Sequence, residues 1–184
     1  PEEVIGNPEH DDYPLIIGRE RMMQAEVRGA CGQAFTDMYG CWEGCVRDVW
    51  RMQWTNNFRR AILVATLNAV MRFTGEGKDT VHCRDDGPVQ CAKCLRSFVA
   101  DQHLQPPFLL IGYQPRLAEA LASLGELQIV DGDARNIGQL RAGTVVRGPA
   151  ETDEALRTAG CAFVTGSTVV NGTIVHFLDL PVPT

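Results

Sequence analysis

The sequence lacks any long apolar run. Its longest, Ala61 to Val70, is broken by Thr66 and Asn68 and reaches only about half of the ~20 residues a membrane-spanning helix requires. No membrane segment is expected. The chain also lacks a Lys/Arg stripe or cluster, and its formal net charge is −6. Nucleic acid is therefore not an expected partner, because that affinity rests on neutralised phosphates. The sequence opens Pro-Glu-Glu-Val, without an initiator Met, a basic n-region or an apolar h-region, so no signal peptide is expected. Internal repeats and low-complexity segments are missing. No Ser/His/Asp set, paired carboxylate or phosphate loop stands out, so no reaction is assigned.

What is present is ordinary globular composition, 45% hydrophobic and 22% charged over 184 residues, enough for one domain or two small ones. Seven cysteines are many for this length. They fit either disulfides in an oxidising compartment or thiols held for metal in a reducing one. The odd count and two tight spacings favour the second, and with it a cytoplasmic location.

Residues 1–20 are rich in Pro, Gly and acid and lead into an expected short strand at Leu15-Ile16-Ile17. Residues 19–27 mix helix and strand character, residues 34–40 are turn-like, and residues 41–52 space apolar side chains as a helix does. The clearest helix is 58–74, with Thr55-Asn56-Asn57 as cap candidates and Gly75 as its stop. Its stretch from Ala61 to Met71 is apolar nearly all round, which predicts burial on several sides. Asn68 must then find hydrogen-bond partners there, and the plain expectation is a satisfied amide holding a neighbouring loop. A second helix is expected over 88–102, with Pro88 in its first turn and Asp85 and Asp86 at its positive end. Gln105-Pro106-Pro107 closes an α+β N-terminal domain, residues 1–106.

Residues 107–184 alternate in period. Phe108-Leu109-Leu110-Ile111, Leu127-Gln128-Ile129-Val130 and Cys161-Ala162-Phe163-Val164 are continuous runs, as in strands buried on both faces. Helices are expected over 116–124 and 151–158, and a last one from Asn171 to Leu180. Thr144-Val145-Val146 is a candidate extra strand. Strand, helix, strand, helix, strand with short connections predicts a small α/β unit of parallel strands.

In such a sheet, ligands bind beyond the carboxyl ends of the strands. Those ends are Gly112-Tyr113-Gln114-Pro115, Asp131-Gly132-Asp133 and Thr165-Gly166-Ser167-Thr168, and they are expected to converge on a small-ligand site. Asp131 stands where a dinucleotide fold carries its ribose-binding acid. The first turn is not G-x-G-x-x-G, however, so the standard fingerprint is absent. Each loop is also accounted for singly as a good turn.

A second constellation is His82-Cys83 followed by Cys91-Ala92-Lys93-Cys94. On a helix starting near Pro88, Cys91 and Cys94 share a face, with Cys83 in the loop leading in. His82, Cys41 or Cys45 is a candidate fourth ligand. One C-x2-C with scattered cysteines suits a transition metal, an iron–sulfur cluster on three cysteines, or zinc. The plain alternative is free cysteines acting as small hydrophobes. Cys161 is expected in the core, and His10, His103 and His176 as surface or core residues.

Gly112-Tyr113-Gln114-Pro115, Val130-Asp131 and the run from Val164 to Thr173, whose most specific part is T-G-S/T-x-x-N-G-T, resemble the heavy-metal chelation family of unknown function. Leu67-Asn68-Ala69 is similar to its N-terminal part. The resemblance covers residues 60–180. It implies an enolase-N-terminal-like domain followed by a Rossmann-like domain, with a site for metal or a metal-bearing small molecule between them. By position it carries over to Asn68, the 112–115 turn, Asp131 and the stretch Thr165 to Thr173, with Gly166, Ser167, Thr168, Asn171 and Thr173. Family members continue with further strands, whereas this sequence stops at Thr184, so a smaller sheet or one completed by another chain is expected. The cysteine cluster has no place in the family pattern.

Three functions compete on these residues. The first is metal or metal-cofactor handling through Cys83, Cys91 and Cys94, with a small ligand at the strand ends. The second is an enzyme on a nucleotide or anionic metabolite, with Asp131 on a hydroxyl and structural cysteines. The third is a non-catalytic subunit docking on a protein partner or in a homo-oligomer.

Overall fold

The computed structural model describes residues 18–178. The strand expected at Leu15-Ile16-Ile17, His10 and the end of the last expected helix lie outside them. The described chain divides into two compact units, residues 18–84 with Gly166–Val175, and Asp85–Thr165 with residues 176–178.

The first unit begins with an antiparallel hairpin of β1 (Arg21–Val27) and β2 (Ala30–Thr36), Arg21 opposite Thr36 and Val27 opposite Ala30. Arg28 and Gly29 turn it with φ of 51° and 81°, the left-handed pair that matches strand twist. Of the mixed stretch 19–27, residues 21–27 are thus settled as strand by pairing. Residues 34–36, expected as turn, complete β2 for the same reason.

Of the helix expected over 41–52, only α1 (Val46–Arg51) forms, with Val49 buried. The Asp48 carboxylate accepts the Cys45 N–H at 2.9 Å, which places the helix start after Cys45 and leaves residues 41–45 exposed. α2 (Asn57–Thr74) packs on the hairpin. Asn56 Oδ1 caps it by accepting from Arg59 N at 3.0 Å, and Gly75 ends it with φ of 78°. Asn56→Ala should cost about 1 kcal/mol of stability, read by denaturant unfolding; an unchanged midpoint would show that the cap is not needed.

The expectation that α2 is buried on several sides is corrected. Ala61, Ile62, Ala65, Thr66 and Ala69 are buried, whereas Leu67 and Met71 are exposed. The hairpin, two strands wide, covers one face, and apolar sequence alone does not supply a second layer.

The second unit begins with α3 (Gly87–Asp101), which has Asp86 as its N-cap residue and Pro88 in its first turn. A parallel three-stranded sheet follows in the order β4 (Leu127–Val130), β3 (Phe108–Ile111), β7 (Cys161–Val164). Phe108 lies level with Leu127 on one side and Cys161 on the other. α4 (Pro115–Ala122) links β3 to β4. A hairpin of β5 (Leu140–Arg141) and β6 (Thr144–Val145), a 3-10 turn Pro149–Glu151 and α5 (Thr152–Thr158) link β4 to β7.

Alternation along β3 explains its uninterrupted apolarity. Phe108 and Leu110 face Val99 of α3 and Ala118 and Leu121 of α4, while Leu109 and Ile111 face Ala155 and Leu156 of α5. Both faces are covered, so both parities must be apolar. The molecule is therefore a mixed α/β chain with a parallel sheet.

After β7 the structure departs from the expected single helix at 171–180. Residues 167–168, expected in a strand-end loop, open α6 (Ser167–Asn171), and Gly172 ends that helix with φ of 81°. The following turn of helix is α7 (Val175–Leu178). Arg60 of α2 holds α6 through Nε to the Val170 carbonyl at 2.6 Å, and Val170 joins the Ala34–Ala61–Ala65 core.

Candidate functional site

The three strands end at the same level. Beyond β3, Gly112 donates its N–H to the Val130 carbonyl at 2.8 Å, and Thr165 donates its own to the Ile111 carbonyl at 3.0 Å. The chain leaves β3 toward β4 on one side and returns to β7 on the other, so the strand order reverses between β3 and β7. That reversal is where open parallel sheets take ligands.

Gly112 is required there. Its φ is 87°, and a Cβ would stand 2.6 Å from Thr165 Cγ2. The two loops touch because one of them carries no side chain.

Asp131 organises the neighbouring pair of loops. It is buried, and its Oδ2 accepts the Tyr113 N–H at 2.5 Å while Oδ1 accepts the Asp133 N–H at 2.6 Å. One carboxylate thus ties the turn after β3 to the turn after β4. Asp133 in turn pairs with Arg135, an interaction that raises the Arg135 pKa. Tyr113 carries the Arg141 guanidinium over its ring, 5.8 Å from the centroid.

A cavity of about 450 Å³ opens in the same unit, within the range of small-molecule sites. Leu110, Leu117 and Phe163 give it apolar walls, and Gln102, Gln114 and Thr165 bring amide and hydroxyl groups to it. Gln114 and Thr165, expected at the strand ends, therefore share one cavity. Cys161 lines it as well, and burial pushes that thiol up from its ordinary range.

α3 forms another wall through Phe98 and Gln102. Cys94 is four residues before Phe98 and Cys91 seven, which puts both thiols on the stripe of α3 that leads to the cavity. Both are exposed, and all seven cysteines are free thiols.

The other expected site residues belong to the first unit. Cys41 and Cys45 are exposed there. Cys83 is half-buried, and its carbonyl oxygen lies 2.5 Å from His82 Nδ1. The His82 N–H donates to Gln33 Oε1 at 2.6 Å, and its ring packs edge-on against Phe35. Among the described residues, no three or more His, Cys, Asp or Glu side chains gather as a group able to hold a metal ion.

Asn68 Nδ2 donates to the Gln33 carbonyl at 2.9 Å. Asn171 Oδ1 accepts from both the N–H and the hydroxyl of Thr173, at 3.0 and 2.7 Å. Gly166, Ser167 and Thr168 belong with α6. Sequence reasoning missed Gln33 and Arg60. Gln33 also donates its Nε2 to Gln24 Oε1 and its N–H to the Thr80 carbonyl, and nothing in an Ala-Cys-Gly-Gln-Ala run signals such a hub.

Residues 106–183 match the model of a family described as "Putative heavy-metal chelation", the one whose motifs the sequence resembles. The matched segment holds the parallel sheet and the strand-end loops, while Cys91 and Cys94 precede it. No curated protein and no solved structure matches the chain. No described helix is long and apolar enough to cross a membrane.

Proposed function

We propose, taking the match of residues 106–183 to the heavy-metal chelation family as premise, that this chain handles a soft transition-metal ion in the cytoplasm. Cys91 and Cys94 are the protein's donors, and the cavity of the second unit takes a small ligand. The parallel sheet is read as the family's Rossmann-like part, and the hairpin with α2 as its enolase-N-terminal-like part. The supporting observation is the alignment along α3 of two exposed thiols with the cavity wall at Phe98 and Gln102. On helix geometry Cys94 lies about 6 Å along the axis from Phe98.

The donor set fits a soft ion, because paired thiolates suit zinc and its soft neighbours. It does not amount to a closed structural site, which requires four protein ligands. Two donors leave coordination positions open, as suits an ion that is passed on or shared with a bound small molecule. A bound ion would supply Lewis acidity and an attachment point for that molecule. Gln114 and Thr165 would orient the molecule, and Asp131 would keep their loops in place.

The test is metal analysis of the whole chain purified without oxygen, followed by cadmium titration read by thiolate-to-metal absorption. One ion per chain is expected, and Cys91→Ser and Cys94→Ser should each weaken binding by more than the roughly 10–100-fold that losing a second-shell partner costs. Cys83→Ser should leave binding intact. Unchanged affinity in both Cys91→Ser and Cys94→Ser would overturn the assignment.

A further inference from the structure

The first unit holds a cavity of its own, of about 490 Å³, between α1 and the start of α2. Trp42, Met52, Phe58 and Ile62 give it aromatic and aliphatic walls, and Arg51 and Arg59 stand on its rim. The Trp42 ring lies over Gly44, where a Cβ would come within 2.6 Å of the indole. The aromatic wall is therefore positioned by the missing side chain at residue 44. Ile62 below it is buried, as is Val49 on the inner face of α1.

Two arginines against one acid leave the lining of this cavity net positive. Asp48, its one acid, is committed to the Cys45 N–H. Hydrogen bonding from the Cys45 side chain, and then from its N–H, together with the charge of Arg51, holds that carboxyl below the usual range. Arg59 uses Nη1 on the Gln53 carbonyl at 3.1 Å, which leaves four of the five donors of a guanidinium. Arg51 is exposed on α1. Two guanidinium side chains thus line a cavity that also carries aromatic and aliphatic side chains. A guanidinium takes a carboxylate in the plane of its fork, and the neighbouring rings offer stacking surfaces.

We propose that this cavity binds a planar organic anion, its ring against Trp42 and Phe58 and its carboxylate on Arg51 and Arg59. The site is independent of the thiols on α3. It holds a ligand class that neither the family match nor the metal assignment supplies.

The experiment is calorimetric titration of the full chain with 2-naphthoate, 2-naphthalenemethanol and 2-naphthalenemethanamine. These probes share a ring and differ in charge. The anion should bind about tenfold tighter than the alcohol, as hydrogen bonds to charged groups allow, and the amine should bind weakest. Arg51→Gln and Arg59→Gln should each remove most of that preference for the anion while leaving alcohol binding and the melting temperature unchanged. Cys91→Ser should leave all three titrations as they were. Absence of naphthoate binding at millimolar concentration, an amine that equals the acid, or arginine variants without effect would each overturn the proposal.

Discussion

Gly32→Ala should unfold the hairpin–helix unit. A Cβ at Gly32 would stand 2.2 Å from Ala69 N, 2.4 Å from Ala65 O and 2.6 Å from Asn68 C. All three are backbone atoms inside α2, so no flexible side chain can swing aside. Relief requires lifting β2 off the helix, and the lift separates Ala34 from Ala61 and Ala65 and stretches the Asn68–Gln33 bond. Ordinary overpacking costs about 1–3 kcal/mol. A rigid backbone clash in the middle of the described sheet of this unit should reach or exceed the top of that range. Hydrogen exchange of the α2 amides, compared with those of β3 and β4, reads the effect locally. Gly29→Ala is the control, because residue 29 has a φ of 81° but nothing within 4 Å of its Cβ, so only the left-handed conformation is penalised, by about 1 kcal/mol. Equal and small losses from the two variants would disprove the close-approach argument.

Asp131→Ala should be the most damaging change in the second unit. It removes a carboxylate that accepts two backbone N–H groups, those of Tyr113 and Asp133. A buried donor left unsatisfied costs about 1–3 kcal/mol, so a total near 3 kcal/mol is expected even after partial rescue by water. Asp131→Asn keeps one oxygen and turns an NH2 toward the other N–H. It should therefore fall between wild type and alanine only if the amide can shift to serve Tyr113. Denaturant unfolding followed by near-ultraviolet circular dichroism ranks the three proteins. A loss below about 1 kcal/mol in the alanine variant would mean that the strand-end turns stand without the carboxylate.

The parts of this fold that could be read from sequence are those whose cause lies within a few residues. β3, β4 and β7 are legible because a strand covered on both faces has no polar parity, and Phe108-Leu109-Leu110-Ile111 shows none. α2 is legible from Asn56 before it and Gly75 after it, each acting on the helix end beside it. β2 was not legible, since Ala30-Cys31-Gly32-Gln33-Ala34 has neither alternation nor β-branched residues. It is a strand because β1 pairs with it and because Gly32 admits the α2 backbone. The stretch from Gly166 to Thr173 is illegible for a similar reason. Its glycines and hydroxyls describe a loop equally well, and what makes residues 167–171 a helix held on α2 is Arg60, more than a hundred positions away.

The candidate site divides in the same way. The sequence by itself determined that the strand ends carry Gly112, Gln114, Asp131 and Thr165, and that Cys91 and Cys94 share a helix face, because both follow from short-range periodicity. Only the tertiary structure decided that Gln114 and Thr165 meet at one cavity, and that Asp131 is occupied with two N–H groups. It also decided that Cys83 and His82 belong with the hairpin unit. Those outcomes depend on which distant segments pack together, and packing is settled by the sum of contacts over the whole fold, which no local spacing records.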